Sequence, residues 1–468
     1  MTELTTLANR FNTIFIGMDV HKCSVSLYAY VLDHGCLVEH KIVSQDYHKD
    51  VLQFIQEIRG FFDTGVHVVC GYEAGCTGYA LCRFLRKDGI DCKVIAPNTI
   101  PIESSHGRVK TDRRDAQKLA RSLAFGTYKT AHVPTQEEEA VRDYMRMRDD
   151  HKHQLKRVKQ QILALCLRNN LLFDATRPWT LAHHRWLDGI IAGTLKSELP
   201  PLKRETLQEY MTTYDELSEK IAQYDKRIQE LSQQPEYLEN VKNLRCIKGL
   251  DTLSAMTVLV EVGDLNRFES AEQFTSFVGL TPGEYSSGEK EKRLGITKAG
   301  NGHVRHTLVE CAQSYNRGTA GKKSSKLRAR QKGCDDDVIK YADRASKRLR
   351  KKYMTLTVDK GKSANVAKTA VARELACFIW GMVTGRIATC QNGKSNQAVS
   401  ASPKDPQGNH ERQGSVSQDS RGKPLSLRTK KEVSPEPPSR KKPRGAAPKS
   451  MASEAGQAKT PQKSTKSC

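Results

Sequence analysis

Ile14 to Val20 (IFIGMDV) is a continuous apolar run with an acid near its end and predicts a buried strand. Ser24 to Leu32 and Cys36 to Val43 predict two more strands, with Asp33-His34-Gly35 as the turn between them. Strands joined so closely suggest an antiparallel meander whose first member ends by exposing Asp19. From Asp50 to Phe62 the apolar spacing changes to three and four, which puts Val51, Phe54, Ile55, Ile58 and Phe62 on one stripe of a helix. His67 to Tyr72 is then a short buried strand that runs straight into Glu73. Tyr79 to Lys87 reads as a helix, and Cys92 to Ala96 as a strand closed by Pro97. After a loop carrying Ser104-Ser105-His106-Gly107, Lys110-Thr111-Asp112-Arg113-Arg114-Asp115-Ala116 heads an apolar-periodic helix.

The order of three strands, helix, strand, helix, strand, helix suits an α/β domain with a mixed sheet, and it resembles the ribonuclease-H-like layout. Asp112 and Asp115 share a helix face at i and i+3. Taken alone, the heptapeptide reads as an acidic first turn that complements the helix dipole. Asp19 and Glu73 taken alone read as strand-end acids facing water. In the ribonuclease-H-like layout, however, all four converge on one edge. Carboxylates from three segments then make an oxygen-rich anionic pocket suited to hard cations such as Mg²⁺, with Mn²⁺ as a substitute. Two such ions about 3.5–4 Å apart can activate a nucleophile and stabilise a leaving oxygen on phosphate.

From about Glu137 to Gln234 the chain becomes long, charged and helical. Leu155, Val158, Ile162 and Leu165 step by three and four, and so do Leu217, Ile221, Tyr224, Ile228 and Leu231. This predicts a hairpin or dimerising coiled coil, or two ordinary bundle helices, joined through the Pro- and Trp-containing region from Asn169 to Pro201. Cys246-Ile247-Lys248-Gly249-Leu250 before a helix resembles a helix-turn-helix turn, whose amides can meet DNA phosphates. Further on, Ser286 and Ser287 sit in a glycine-flanked loop before Lys290, Lys292 and Arg293 and a helix from Val304 to Ser314. On chemistry alone this loop is a plain turn, because a serine hydroxyl is a poor nucleophile without help. Val366 to Val383 is a last apolar helix, and beyond Gln391 the composition predicts a disordered basic tail.

Charge narrows the partners. The formal net charge is +23, and residues 392–468 hold 16 Lys/Arg against 6 Asp/Glu, so the remainder is basic as well. That balance points to a polyanion, since Lys and Arg gain affinity by releasing counterions from phosphates. No apolar run approaches a membrane span and the N-terminus lacks a signal pattern, so a cytoplasmic, nucleoid-associated protein with no membrane partner is expected. Thirteen scattered cysteines suggest reduced thiols, and Cys70, Cys76, Cys82 and Cys92 lack the paired spacing of a zinc site.

Four stretches together resemble the DEDD transposases of the IS-one-ten insertion-sequence family. They are Gly17-Met18-Asp19-Val20-His21-Lys22, Tyr72-Glu73-Ala74-Gly75, Lys110 to Ala116, and Gly279-Leu280-Thr281-Pro282 through Ser287-Gly288 to Lys298-Ala299-Gly300. The resemblance implies a RuvC-like DEDD nuclease domain (12–130), a helical coiled-coil spacer (136–235), a mainly α C-terminal transposase domain (240–390) and the tail (392–468). It implies a DNA transposase or recombinase in which Asp19, Glu73, Asp112 and Asp115 bind Mg²⁺ and Ser287, with Ser286 as the adjacent candidate, attacks DNA. It also implies donor and target DNA as partners, a structured guide RNA in some members, and a homo-oligomer, dimer or tetramer. Lys248-Gly249-Leu250-Asp251 departs from the family's Pro-Gly-Ile-Gly. Two other readings of the residues are a metal-dependent junction-resolving nuclease and a non-catalytic nucleic-acid-binding protein.

Overall fold

The computed structural model of the chain describes residues 13–62, 65–101, 111–174, 177–195, 199–285, 293–319 and 321–387. The expectations for Ser104–Gly107, Ser286, Ser287, Lys290, Lys292 and the tail lie outside these residues. The described residues all belong to one compact unit within Met1–Asn396.

The N-terminal sheet contains β1 (Thr13–Val20), β2 (Ser24–Val31), β3 (Gly35–Val43), β4 (His67–Glu73) and β5 (Asp91–Ile95) in the order β3-β2-β1-β4-β5. The first three form the antiparallel meander that their short turns dictate, while β4 and β5 add in parallel. Side chains alternate across a strand, so β1 presents Ile14, Ile16 and Met18 to one face and Phe15, Gly17 and Asp19 to the other. The first face is covered by α1 (Tyr47–Gly60) and α2 (Ala80–Lys87), with Val51, Ile55, Leu81 and Leu85 in its core.

The second face carries α3 (Asp112–Ala124), packed through Leu119 and Leu123 onto Val69 and Ile95, and through Ala116 and Ala120 beside Tyr28 and Tyr30. The approach is unusually close at Gly17. A Cβ there would lie 2.1 Å from the Ala116 carbonyl oxygen and 2.3 Å from the Ala120 nitrogen. Small residues on both partners therefore set how near α3 lies to β1, and with it how near Asp112 comes to Asp19.

Two long helices follow, α4 (Gln136–Arg168) and α6 (Pro201–Leu231). They run antiparallel, since Arg148 bonds Asp225 near one end and Lys203 bonds Asn169 near the other. The predicted irregular connection contains a helix of its own, α5 (Leu181–Ile191), whose Leu187 and Ile190 fill the space between the two long helices together with Ile162 and Leu207.

A separate core holds α7 (Pro235–Leu244), α8 (Thr252–Val262), α9 (Ala271–Val278), α10 (Gly302–Ala312), α12 (Asp336–Met354) and α13 (Ala364–Val383), with the short α11 (Ser325–Gln331) against it. The turn between α7 and α8 is anchored from within the core. Cys246, Ile247 and Leu250 are fully buried, the Leu250 amide bonds the Ile247 carbonyl, and Tyr315 and Arg330 donate to the carbonyls of Lys248 and Leu250. Two short strands absent from the sequence reading, β6 (Pro282–Glu284) and β7 (Arg293–Ile296), pair antiparallel between α9 and α10. Arg305 clamps the base of this hairpin by donating to the carbonyls of Val278 at 2.8 Å and Ala299 at 3.2 Å. Asp335 caps α12 by accepting from the amides of Asp337 and Val338. No helix among the described residues is long and apolar enough to cross a membrane.

Candidate active site

Asp19 and Glu73 leave the sheet at the same level. Met18 pairs with Tyr72 across the parallel β1–β4 ladder, and each acid is the next residue of its strand. Both follow a glycine on the α3 face by two positions, Gly17 on β1 and Gly71 on β4, and a Cβ on either glycine would meet α3. Asp112 and Asp115 occupy the first turn of that helix, which Thr111 caps by accepting from the Arg114 amide. The fold thus delivers carboxylates from two strand ends and one helix N-terminus to the same edge of the sheet.

The closest cluster is Asp19, His21 and Asp112, whose ligand atoms all lie within 4.8 Å of one another. His21 Nε2 stands 3.3 Å from Asp19 Oδ2 and 3.5 Å from Asp112 Oδ1. Lys41 Nζ, from edge strand β3, donates to the other oxygen of Asp112 at 3.0 Å. Arg113 pairs with Glu39 on the rim. Glu73, exposed at its strand end, and Asp115 lie outside the tight cluster. His21 and Lys41 were missed by sequence reasoning, although His21 stands only two residues beyond Asp19.

Electrostatics reflect the crowding. Burial pushes the Asp19 carboxyl above its ordinary range; His21 opposes this, while the carboxylates of Asp115 and Asp112 push it further up. Asp112 is held below the ordinary range, chiefly by its hydrogen bond from Lys41. A group so placed gains from any cation that shares its charge. The donor set of carboxylate oxygens and one imidazole nitrogen accordingly fits a divalent metal ion.

A cleft of about 1690 Å³ lies elsewhere, between the β5 end, α4 and α8, and none of the four acids lines it. Its lining includes Arg142, Arg146, Glu261 and Asn301.

Comparisons with known proteins converge on one family. Residues 241–326 match the family described as Transposase IS116/IS110/IS902 family, and residues 16–169 match the DEDD transposases of the IS110 group. The chain is 35% identical to the protein y4qE of Sinorhizobium fredii, over 80% of this chain and 89% of that one. It is 31% identical to the transposase for insertion sequence element IS1533 of Leptospira borgpetersenii, over 73% of this chain and 96% of the relative. A similarity of 26% to the transposase for insertion sequence element IS1111A of Coxiella burnetii covers 56% and 71% of the two chains. The chain therefore belongs to the IS110 family of DEDD insertion-sequence transposases, enzymes that act on DNA.

Proposed function

We propose that this transposase cuts and rejoins DNA strands at a centre where Asp19, Glu73, Asp112 and Asp115 hold Mg²⁺, or Mn²⁺ in its place, and Ser287 is the nucleophile. The observation that carries the reading is the meeting of Asp19 and Asp112 within 4.8 Å at the α3 edge of the sheet, in a chain of a DEDD transposase family. A bound divalent ion would supply charge neutralisation on the scissile phosphate and a lowered barrier for the departing oxygen. The chain's own residues do the rest. Lys41 orients the Asp112 carboxylate, and the close packing at Gly17 fixes its separation from Asp19.

In the covalent step Ser287 Oγ loses its proton to solvent and bonds to phosphorus as the deoxyribose oxygen leaves and takes up a proton. One phosphodiester replaces another, so its energy is conserved until the hydroxyl of an incoming strand reverses the exchange. The partners in this reading are donor and target DNA and a structured guide RNA from the element's own end, which the net charge of +23 suits. The homo-oligomer pairs the acids of one subunit with the serine of another. Leu167, Leu172, Leu181 and Leu202, exposed around the far end of the spacer hairpin, support such an assembly.

The test is plasmid recombination by Asp19→Ala, Ser286→Ala and Ser287→Ala, with protein–DNA adducts resolved on denaturing gels. Loss of both recombination and adduct in Ser287→Ala supports the reading. Recombination that survives both serine changes but not Asp19→Ala replaces it with a metal-only nuclease.

A further inference from the structure

We propose that His21 is a nitrogen ligand of the divalent cation, so that the centre is a mixed oxygen–nitrogen site rather than the all-oxygen site that four carboxylates would make. This rests on the metal reading above and adds to it a ligand and a metal preference.

The spacing of the donors carries the inference. Adjacent ligands of an octahedral ion with bonds of about 2.1 Å stand roughly 3.0 Å apart, the bond length times the square root of two. His21 Nε2 lies 3.3 Å from one Asp19 oxygen and 3.5 Å from one Asp112 oxygen, so the nitrogen stands from each acid within a few tenths of an ångström of the spacing of neighbouring corners, and ligand atoms of all three residues lie within 4.8 Å of one another. The same distances are long for hydrogen bonds, since charge-assisted contacts of nitrogen to carboxylate settle at about 2.7–2.9 Å. The ring serves both acids at once rather than one alone. It sits between them with Nε2 turned to the space both share.

The local fold holds it there. Val20 ends β1, and the His21 amide bonds the Ser24 carbonyl at 2.8 Å, which fixes the ring's origin at the turn into β2. Lys41 occupies Asp112 Oδ2, so the oxygen facing His21 is Oδ1, the one without the lysine. Imidazole is a softer donor than carboxylate and favours Mn²⁺, Co²⁺ or Zn²⁺ over Mg²⁺ relative to an all-oxygen site. The centre should therefore discriminate between Mn²⁺ and Mg²⁺ more strongly than its carboxylates alone would.

The experiment binds Mn²⁺ to the full-length protein and reads the bound ion by electron paramagnetic resonance, with electron spin echo modulation to detect directly coordinated ¹⁴N. Wild type should show one imidazole nitrogen, and His21→Ala and the hydrogen-bonding His21→Gln should both lose it while still melting cooperatively. Mn²⁺ affinity should fall about tenfold in His21→Ala, and Mg²⁺ affinity, read by competition, should fall less. Bound Mn²⁺ without nitrogen modulation, or modulation that persists in His21→Ala, overturns the His21 assignment and leaves the carboxylate reading standing. Mn²⁺ that fails to bind wild type, or binds Asp19→Asn unchanged, overturns the carboxylate reading itself.

Discussion

Arg146 on α4 grips Glu261 on α8 through two hydrogen bonds of 2.7 and 2.8 Å. Asn301 donates to the same carboxylate at 2.8 Å, and its own side-chain oxygen caps α10 by accepting from the Val304 amide. One buried acid thus ties α4, α8 and the start of α10 together, immediately after the β6–β7 hairpin. The position of that hairpin relative to α4 depends on this knot.

Arg146→Ala should cost about 3 kcal/mol in urea unfolding, because Glu261, only 4% exposed, would keep a charge with one of its partners gone. Burial alone would raise the Glu261 carboxyl, yet the bonds from Arg146 and Asn301 hold it below its ordinary value of 4.5. A carboxyl depressed in the folded state contributes stability that is present above the unfolded value and lost as pH falls through the folded one. Unfolding curves of wild type should therefore weaken below about pH 4.5 more steeply than those of Arg146→Ala.

The placement of the four acids was legible where local pattern sets it. Asp19, Glu73, Asp112 and Asp115 could be placed because strand ends and a helix start are readable from apolar periodicity, and the strand order brings them to one edge. The contacts of His21 and Lys41 with Asp112 were not legible, because they come from side chains crossing between β1, β3 and α3. The β6–β7 pair escaped for a similar reason. Pro282-Gly283-Glu284 has no alternating apolar pattern, and only the partner strand and the Arg305 clamp define it. Glu261 reads in sequence as a polar interruption of an apolar helix, and its partner lies 115 residues away.

Gly17→Ala should damage stability and site together. The new methyl would overlap the backbone of α3 at Ala116 and Ala120, which cannot yield as a side chain can, so α3 must lift from β1. We expect a loss of roughly 3 kcal/mol and weaker divalent-ion binding, since Asp112 rides on the displaced helix. Calorimetry with and without Mn²⁺ checks both, and a variant that binds Mn²⁺ as tightly as wild type would refute the coupling.

Asp19→Asn should abolish recombination yet stabilise the metal-free protein. Burial and the neighbouring carboxylates disfavour the charged Asp19, so a neutral amide of the same shape relieves that cost. The melting temperature in EDTA should rise by roughly 1–3 °C, and the gain should shrink or reverse when Mg²⁺ is added, because only wild type then gains from the ion. Equal melting of the two proteins in EDTA would mean that the acids do not strain the fold.

Gly300→Ala should separate the two halves of the proposed centre. Gly300 has φ +75°, and a Cβ there would stand 1.8 Å from the Phe277 carbonyl oxygen; at Gly279, φ +71°, it would stand 2.0 Å from that of Ala299. Backbone passes backbone at the base of the hairpin with no room for a side chain, and Lys298 beside it also has positive φ. Ser286 and Ser287 belong in sequence to the segment that joins β6 to β7. Shifting the base moves the anchor points of that segment while leaving β1 and α3 untouched. Gly300→Ala should therefore lose about 3 kcal/mol through strain and overlap, and in conditions where it is still folded its recombination should drop at least tenfold. Its Mn²⁺ affinity should match wild type, because what a Gly300 side chain would meet, Phe277, shares no contact with Asp19 or Asp112. Full recombination in folded Gly300→Ala would show that the hairpin base does not position the attacking group.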